Sequence, residues 1–289
     1  MKIKEYPRSI IRALYLKSQG LSKLDKLGRQ LASANGELQT TPCLVSLTSI
    51  PQRLEYIHLT IRSLLCQNDV SARIVLWLNH ELRELLPRSL TKLQSERFEI
   101  IFKNQFSSHR KLVFSLDEFK QSIIVTCDDD LMYDSTWLSR LVRDHERFPN
   151  DIIAHECREI SIDARGELLP YQLWPTSIAK DYSSPNLLPV GYGGVLYPPR
   201  ALHGDVTNQE LYMRLAPKAD DLWFKAMSFL NGTSVRRSSN PGKKPVPIIG
   251  AKGSSLAKTN ILQDGNRIQW EAICEHYDLA PDCRGIVDS

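Results

Sequence analysis

The chain lacks several features that would have fixed its class at once. Its apolar runs are of strand length and soon broken by charge, well short of the roughly 20 residues that a membrane-spanning helix needs. Its six cysteines (Cys43, Cys66, Cys127, Cys157, Cys274 and Cys283) stand singly, with no CxxC pair of a zinc or redox site and no signal-peptide pattern ahead of them. That usage points to reduced thiols in a cytoplasmic protein. Internal repeats are absent, and no Gly-rich phosphate loop follows the first apolar strand, where "TSIPQR" stands instead.

What is present is an ordinary globular composition. At 289 residues and 42% hydrophobic, the chain has core enough for one large or two small domains without staples. The net charge of +4 is mild but unevenly placed, because residues 1–30 carry eight lysines or arginines against Glu5 and Asp25. Pro7 suits a first helical turn, Gly20 a helix stop, and Ile11, Leu14 and Tyr15 fall at helical spacing. Residues 1–40 are therefore expected to form a basic helical segment. Either it makes a peripheral contact with an anionic membrane at the inner face of the plasma membrane, or it packs on the domain with its charges solvated. No aromatic-basic pattern accompanies the charge, so nucleic acid is not an expected partner.

From residue 42 onward strand-like and helix-like patterns alternate. "PCLVSLT", "RIVLWLN", "RFEIIF" and "SIIVTC" read as near-continuous apolar strands, separated by the helical patterns "LEYIHLTIRSLL" and "KLVFSLDEF". Such alternation predicts an α/β fold with a mainly parallel sheet covered by helices on both faces. "STWLSRLVRDHERF" reads as a helix with Ser135 as its cap. Beyond 150 come short strands and turns ("DIIAHE", "REISID", "ARGEL"), then "GYGGVLYPP" and the helix "ADDLWFKAMSFLNG". The expected organisation is a ligand-binding half over 41–150 and a second half over 151–289, with a mobile Gly/Pro/Ser-rich basic loop at 236–260.

Asp128, Asp129 and Asp130 lie side by side at the end of the fourth strand. In parallel sheets ligands bind outside the carboxyl ends of the strands. Adjacent carboxylates repel, and a bound hard cation such as Mn2+ or Mg2+ relieves the repulsion. A solvated turn with a helix cap is the alternative. A second acidic pair, Asp220 and Asp221, opens a helix, where it serves either the helix dipole or as a general base. The Gly193-Gly194 pair allows close backbone approach to a ligand or merely a tight bend.

The ordered set "VSLTSIPQR", "HRKLVFSL", "IIVTCDDDLMY", "GYGGVLYPP" and "ADDLWF", spanning roughly 42–232, resembles bacterial glycosyltransferases of the GT-A fold. It is close to the family 2-like enzymes of capsule and lipopolysaccharide assembly. The resemblance implies a Rossmann-like nucleotide-sugar-binding core with a smaller acceptor side. It also implies metal-dependent, inverting transfer from a nucleotide sugar, with a UDP-sugar as the first expectation, to a saccharide or lipid-linked saccharide. Thr48, Arg53, Lys111, Asp128 and Asp129 then face the donor nucleotide, and Asp128 and Asp130 hold the metal of an Asp-x-Asp motif. Asp221 is the better candidate for the base and Asp220 its partner, while Trp174, Gly193 and Gly194 complete the expected substrate contacts. A haloacid-dehalogenase-type phosphatase also uses Asp-x-Asp after a strand, but it wants Thr or Val two residues on, where this chain has Met132. A non-catalytic subunit of a polysaccharide-assembly complex is the rival from another class.

Overall fold

The computed structural model describes residues 43–248, 250, 251, 260 and 263–283. The expected basic segment 1–40 lies outside the described residues, as do 252–259 of the expected loop. The first half runs β1 (Cys43–Thr48), α1 (Ile57–Leu65), β2 (Arg73–Leu78), α2 (Arg88–Thr91), β3 (Phe98–Phe102), α3 (Arg110–Glu118), β4 (Ile123–Thr126), β5 (Leu131–Met132) and α4 (Trp137–Arg147). The second carries β6 (Ile152–Ala154), β7 (Cys157–Glu159), β8 (Leu187–Pro189), β9 (Val195–Tyr197), α5 (Gln209–Leu215), α6 (Asp220–Leu230), β10 (Val235–Arg237), β11 (Val246–Pro247) and α7 (Gly265–Tyr277).

Seven strands make one sheet in the order β10-β6-β9-β4-β1-β2-β3. Strands β1 to β4 are parallel, β10 is parallel to β6, and β9 runs antiparallel between β4 and β6. Successive residues point to opposite faces, and both faces are apolar. Leu44, Val75, Trp77 and Ile124 join the core on one side, with α3 and α6. Val45, Leu47, Ile74, Leu76, Leu78 and Val125 join the core on the other, with α1 and α4. Two-sided burial is what near-continuous apolar strands require. Each buried branched side chain contributes about 1.5–3 kcal/mol, which fixes the register strongly.

The chain builds outward from β1 through β2 to β3, then crosses back to place β4 on the other side of β1. The strand order therefore reverses between β1 and β4, and the crevice at their carboxyl ends is where an open α/β sheet takes its ligand. Thr48 ends β1 and the aspartate triplet follows Cys127 directly after β4.

The sheet is mainly parallel as expected, with β9 its antiparallel member. Of the short strands and turns expected beyond 150, "ARGEL" is a turn, closed by Asp163 Oδ1, which accepts from the amides of Arg165 (2.8 Å) and Glu167 (3.0 Å). Some local expectations need correction. Ser135 does not cap α4: the N-cap is Thr136, without a side-chain cap hydrogen bond, and Asp134 Oδ1 accepts from Thr136 N at 3.0 Å in the turn before the helix. The expected loop 236–260 contains the end of β10 and the whole of β11, which pairs with β5. All six cysteines are buried and free, and burial pushes the Cys43 thiol up to about 12. Among the described residues no helix is long and apolar enough to cross a membrane.

Candidate functional site

A cleft of about 860 Å3 opens at the strand-order reversal. Thr48, Arg53, Lys111, Asp128, Asp129, Asp130, Asp220 and Asp221 all line it, so the structure gathers these eight sequence-selected residues from four separate segments.

The three adjacent aspartates are not equivalent. Asp129 is 4% exposed and fully engaged: its carboxylate accepts from Ser49 Oγ at 2.5 Å and pairs with the Arg53 guanidinium at 2.5 Å. Its own carbonyl accepts from Thr60 Oγ1 at 2.8 Å. Burial nonetheless raises its pKa, against the pull of Arg53 and Ser49. Asp128 and Asp130 instead keep 36% and 27% of their side chains exposed to the cleft. Arg53 reaches Asp130 at 3.2 Å, yet burial, reinforced by the Asp128 and Asp129 charges, pushes the Asp130 carboxyl up to about 6. Tyr133 braces the turn, because its hydroxyl accepts from Asp128 N at 2.9 Å and donates to Tyr192 O at 3.2 Å.

Lys111 joins the two acidic clusters. It sits in the first turn of α3 and is almost fully buried, a poor place for a cation next to a positive helix end. Its ammonium lies 2.9 Å from Asp220, 3.3 Å from Asp128 and 4.0 Å from Asp221. Burial opposes its charge, but these three carboxylates outweigh burial and hold its pKa well above the usual lysine value. Its neighbour Arg110 is buried too and ties Thr48 Oγ1, Ser49 O and Gln105 O together beneath the cleft.

The acidic pair splits in the opposite sense from what adjacency suggests. Burial disfavours charge on Asp220, but Lys111 and His109 outweigh it and hold the carboxyl below its ordinary range, with Ser108 Oγ donating at 2.8 Å. Asp221 is pushed up to about 7, chiefly by burial and then by the Asp220 charge, against the pull of Lys111. Its Oδ2 accepts from Gly191 N at 2.9 Å, which leaves Oδ1 toward the cleft. Leu222, Phe224 and Ala226 of the same helix are buried as the sequence pattern predicted, so α6 holds the carboxylate rigidly.

Three expected substrate contacts fall elsewhere. Trp174 is 1% exposed, packs on Tyr171 and donates its indole N–H to Leu169 O at 2.8 Å, which makes it a core residue. Gly194 has φ +102°, and a Cβ there would stand 2.5 Å from the Trp137 ring. Gly193 is closed in by the Glu156 side chain. The glycine that faces the site is Gly191, where a Cβ would meet Asp221 Oδ1 at 2.8 Å and Lys111 Nζ at 3.0 Å. Sequence reasoning also missed Ser49, Ser108 and Arg110. Ser49 and Arg110 lie inside quoted motifs, but the partners that give them meaning are far away in the sequence.

A divalent cation fits what is here in one way. Asp128 and Asp130 are open to the cleft and Asp130 is short of counter-charge, whereas Asp129 has no free oxygen to offer. Among the described residues no group of three or more His, Cys, Asp or Glu could hold a metal ion. The fit is thus that of a hard ion on one or two carboxylates, its shell completed by phosphate and water.

No protein-family model matches the chain, and no curated protein matches it. Solved structures do. Residues 1–349 of TarS from S. aureus superpose with TM-score 0.46 at 13% identity, covering 80% of this chain and 65% of that one. The 4-diphosphocytidyl-2C-methyl-D-erythritol synthase of Anaerococcus prevotii DSM 20548 gives 0.44 at 10% identity, covering 78% and 95%. A CMP:2-keto-3-deoxy-manno-octonic acid synthetase complexed with CTP gives 0.37 at 14%, covering 69% and 89%. The α/β assignment rests on the strand order itself, and none of these likenesses carries a functional argument.

Proposed function

We propose that the protein is a metal-dependent, inverting glycosyltransferase that moves a sugar from a nucleotide-sugar donor to a hydroxyl acceptor. The observation that carries this reading is one juxtaposition. Asp128 and Asp130 open into the cleft at the strand-order reversal, and the Lys111 ammonium that lies 3.3 Å from Asp128 lies 4.0 Å from Asp221, whose pKa is raised. Breaking a sugar–diphosphate bond requires the departing negative charge to be neutralised, and the attacking hydroxyl to lose its proton.

Asp128 and Asp130 would hold Mn2+ or Mg2+, which when bound supplies electrostatic stabilisation to the leaving diphosphate. Arg53 and Lys111 add fixed positive charge on the same side. Thr48 and Arg110 shape the floor on which the nucleoside rests. Asp129 does not touch substrate in this scheme; it orients Arg53 and rigidifies the turn. Asp221 Oδ1 takes the acceptor proton as the acceptor oxygen attacks, and a single base-assisted displacement of the diphosphate inverts the anomeric centre. Asp220 keeps Lys111 in place and, by its charge, keeps Asp221 basic. A role in surface-polysaccharide assembly, at the cytoplasmic side of the membrane, rests on the sequence resemblance alone.

The test is turnover of a panel of nucleotide sugars with and without Mn2+, followed by NMR of the product's anomeric configuration. Metal-dependent turnover with inversion is the expected result. Metal-independent turnover, or retention, contradicts the reading.

A further inference from the structure

The cleft has a second wall of different chemistry, carried by Tyr171, Met213, Leu222, Asn260 and Asn266. None of these is charged, and the ammonium-bearing Lys218 beside them is exposed at the rim. Asn260 and Asn266 are 8% and 9% exposed. The Asn260 amide is oriented by its own hydrogen bond, since Nδ2 donates to Lys218 O at 2.6 Å. Its Oδ1 is therefore the free end, and that oxygen is buried without a hydrogen bond from any described residue. A buried acceptor left unpaired is unfavourable, and Asn260 lines the cleft.

This wall is tied rigidly to Asp221. Lys218, three positions ahead of Asp221, donates its backbone N–H to Gln269 Oε1 of α7 at 2.8 Å. Tyr171 N donates to Asp264 Oδ1 at 2.9 Å, immediately before α7. The Asn266 amide stands within reach of the Tyr171 hydroxyl and donates toward its oxygen. The start of α7 thus sets the amides and the tyrosine ring against the mouth of α6.

We propose that this wall is the acceptor subsite and that it takes an uncharged sugar unit, one hydroxyl of which donates to Asn260 Oδ1; the inference rests on the glycosyl-transfer reading above. Carboxamides match neutral hydroxyls because they both donate and accept. Met213, 40% exposed, and the edge of the Tyr171 ring offer apolar surface to the C–H face of a pyranose, with Leu222 packed behind them. An anionic sugar would need a buried cation that the wall does not have. In the transfer step a second hydroxyl of the bound unit gives its proton to Asp221 Oδ1 while its oxygen bonds to the anomeric carbon of the donor. The anomeric C–O bond to the diphosphate breaks, and its electron pair leaves with the nucleoside diphosphate.

The experiment uses the full chain with Mn2+. Binding of UDP, GDP, CDP and dTDP is measured first by calorimetry. The protein saturated with the nucleotide that binds is then titrated with the methyl pyranosides of glucose, galactose, mannose and N-acetylglucosamine, and with methyl glucuronide. At least one neutral pyranoside is expected to bind, the glucuronide at least tenfold more weakly, and Asn260→Leu to weaken the neutral ligand at least tenfold. Nucleotide affinity and melting temperature report whether the variant is folded, and Asn266→Leu, with the same expected loss, repeats the test should Asn260→Leu unfold. Nucleotide binding without binding of any neutral pyranoside overturns the subsite alone, as does tighter binding of the glucuronide or wild-type affinity in the folded variants. Failure of every nucleoside diphosphate to bind overturns the donor reading and the subsite with it.

Discussion

The aspartate triplet and the aspartate pair meet the same electrostatic problem, clustered carboxylates in a cleft, in different ways. In the triplet the middle residue is buried and held by Arg53 and Ser49, while its two neighbours are open to the cleft, Asp128 beside Lys111 and Asp130 short of counter-charge. In the pair a single lysine is placed closer to one member, 2.9 Å against 4.0 Å, so one stays ionised and the other is driven toward neutrality. Adjacency alone therefore does not define a role. Which atoms neutralise a carboxylate decides whether it serves as a ligand, a brace or a base.

The sharpest way to break the comparison is within the triplet. Asp130→Ala should abolish metal-dependent nucleotide binding by calorimetry while leaving the melting temperature unchanged or slightly higher, since it removes a repelling charge. Asp129→Ala should do the reverse kind of damage. It takes the buried acceptor from Ser49 and leaves Arg53 with Asp130 alone as its close carboxylate, at a cost of about 1–3 kcal/mol, so thermal melting should fall by on the order of 5 °C. Equal stability of the two variants would erase the distinction between ligand and brace.

Smaller effects test the pair. Gly191→Ala places a methyl against Asp221 Oδ1 and Lys111 Nζ. It should lower turnover about tenfold, the order expected when a general base is misplaced, with nucleotide affinity kept. Asp220→Asn removes the charge that raises Asp221 and frees Lys111 to approach it. Both changes lower the Asp221 pKa, so the acid limb of the pH–rate profile should move to lower pH. An unmoved limb would show that the two carboxylates are not coupled.

The core of the fold was legible because it is written in periodicity. The apolar strands and the faces of α1, α3 and α6 sit where their spacing puts them. β9 was not, since "VLY" is three residues long and its antiparallel direction depends on neighbours from both halves of the chain. The acidic residues of the site were legible because clustered carboxylates are costly and therefore informative. Gly193, Gly194 and Trp174 misled for one shared reason. A glycine pair and a loop tryptophan look like ligand contacts, but here the glycines clear room for Trp137 and Glu156, and the tryptophan fills core. Steric need between distant segments leaves no local mark. Ser49, Ser108 and Arg110 went unseen likewise, since a hydroxyl or guanidinium acquires meaning only from the carboxylate or carbonyl that the fold brings to it.

The most direct test of the account is the pH dependence of nucleotide-sugar hydrolysis, which needs no acceptor other than water, measured with saturating Mn2+ from pH 5 to 9 for the wild type and Asp221→Asn. The base must be deprotonated to act, so the wild-type rate should rise with pH through about 7, the value to which burial lifts Asp221, and level off above it. Asp221→Asn should lose that limb and run about 100-fold slower or more. A wild-type rate that is flat across pH 6 to 8, or an Asp221→Asn enzyme with normal turnover, would show that this carboxylate only caps its helix.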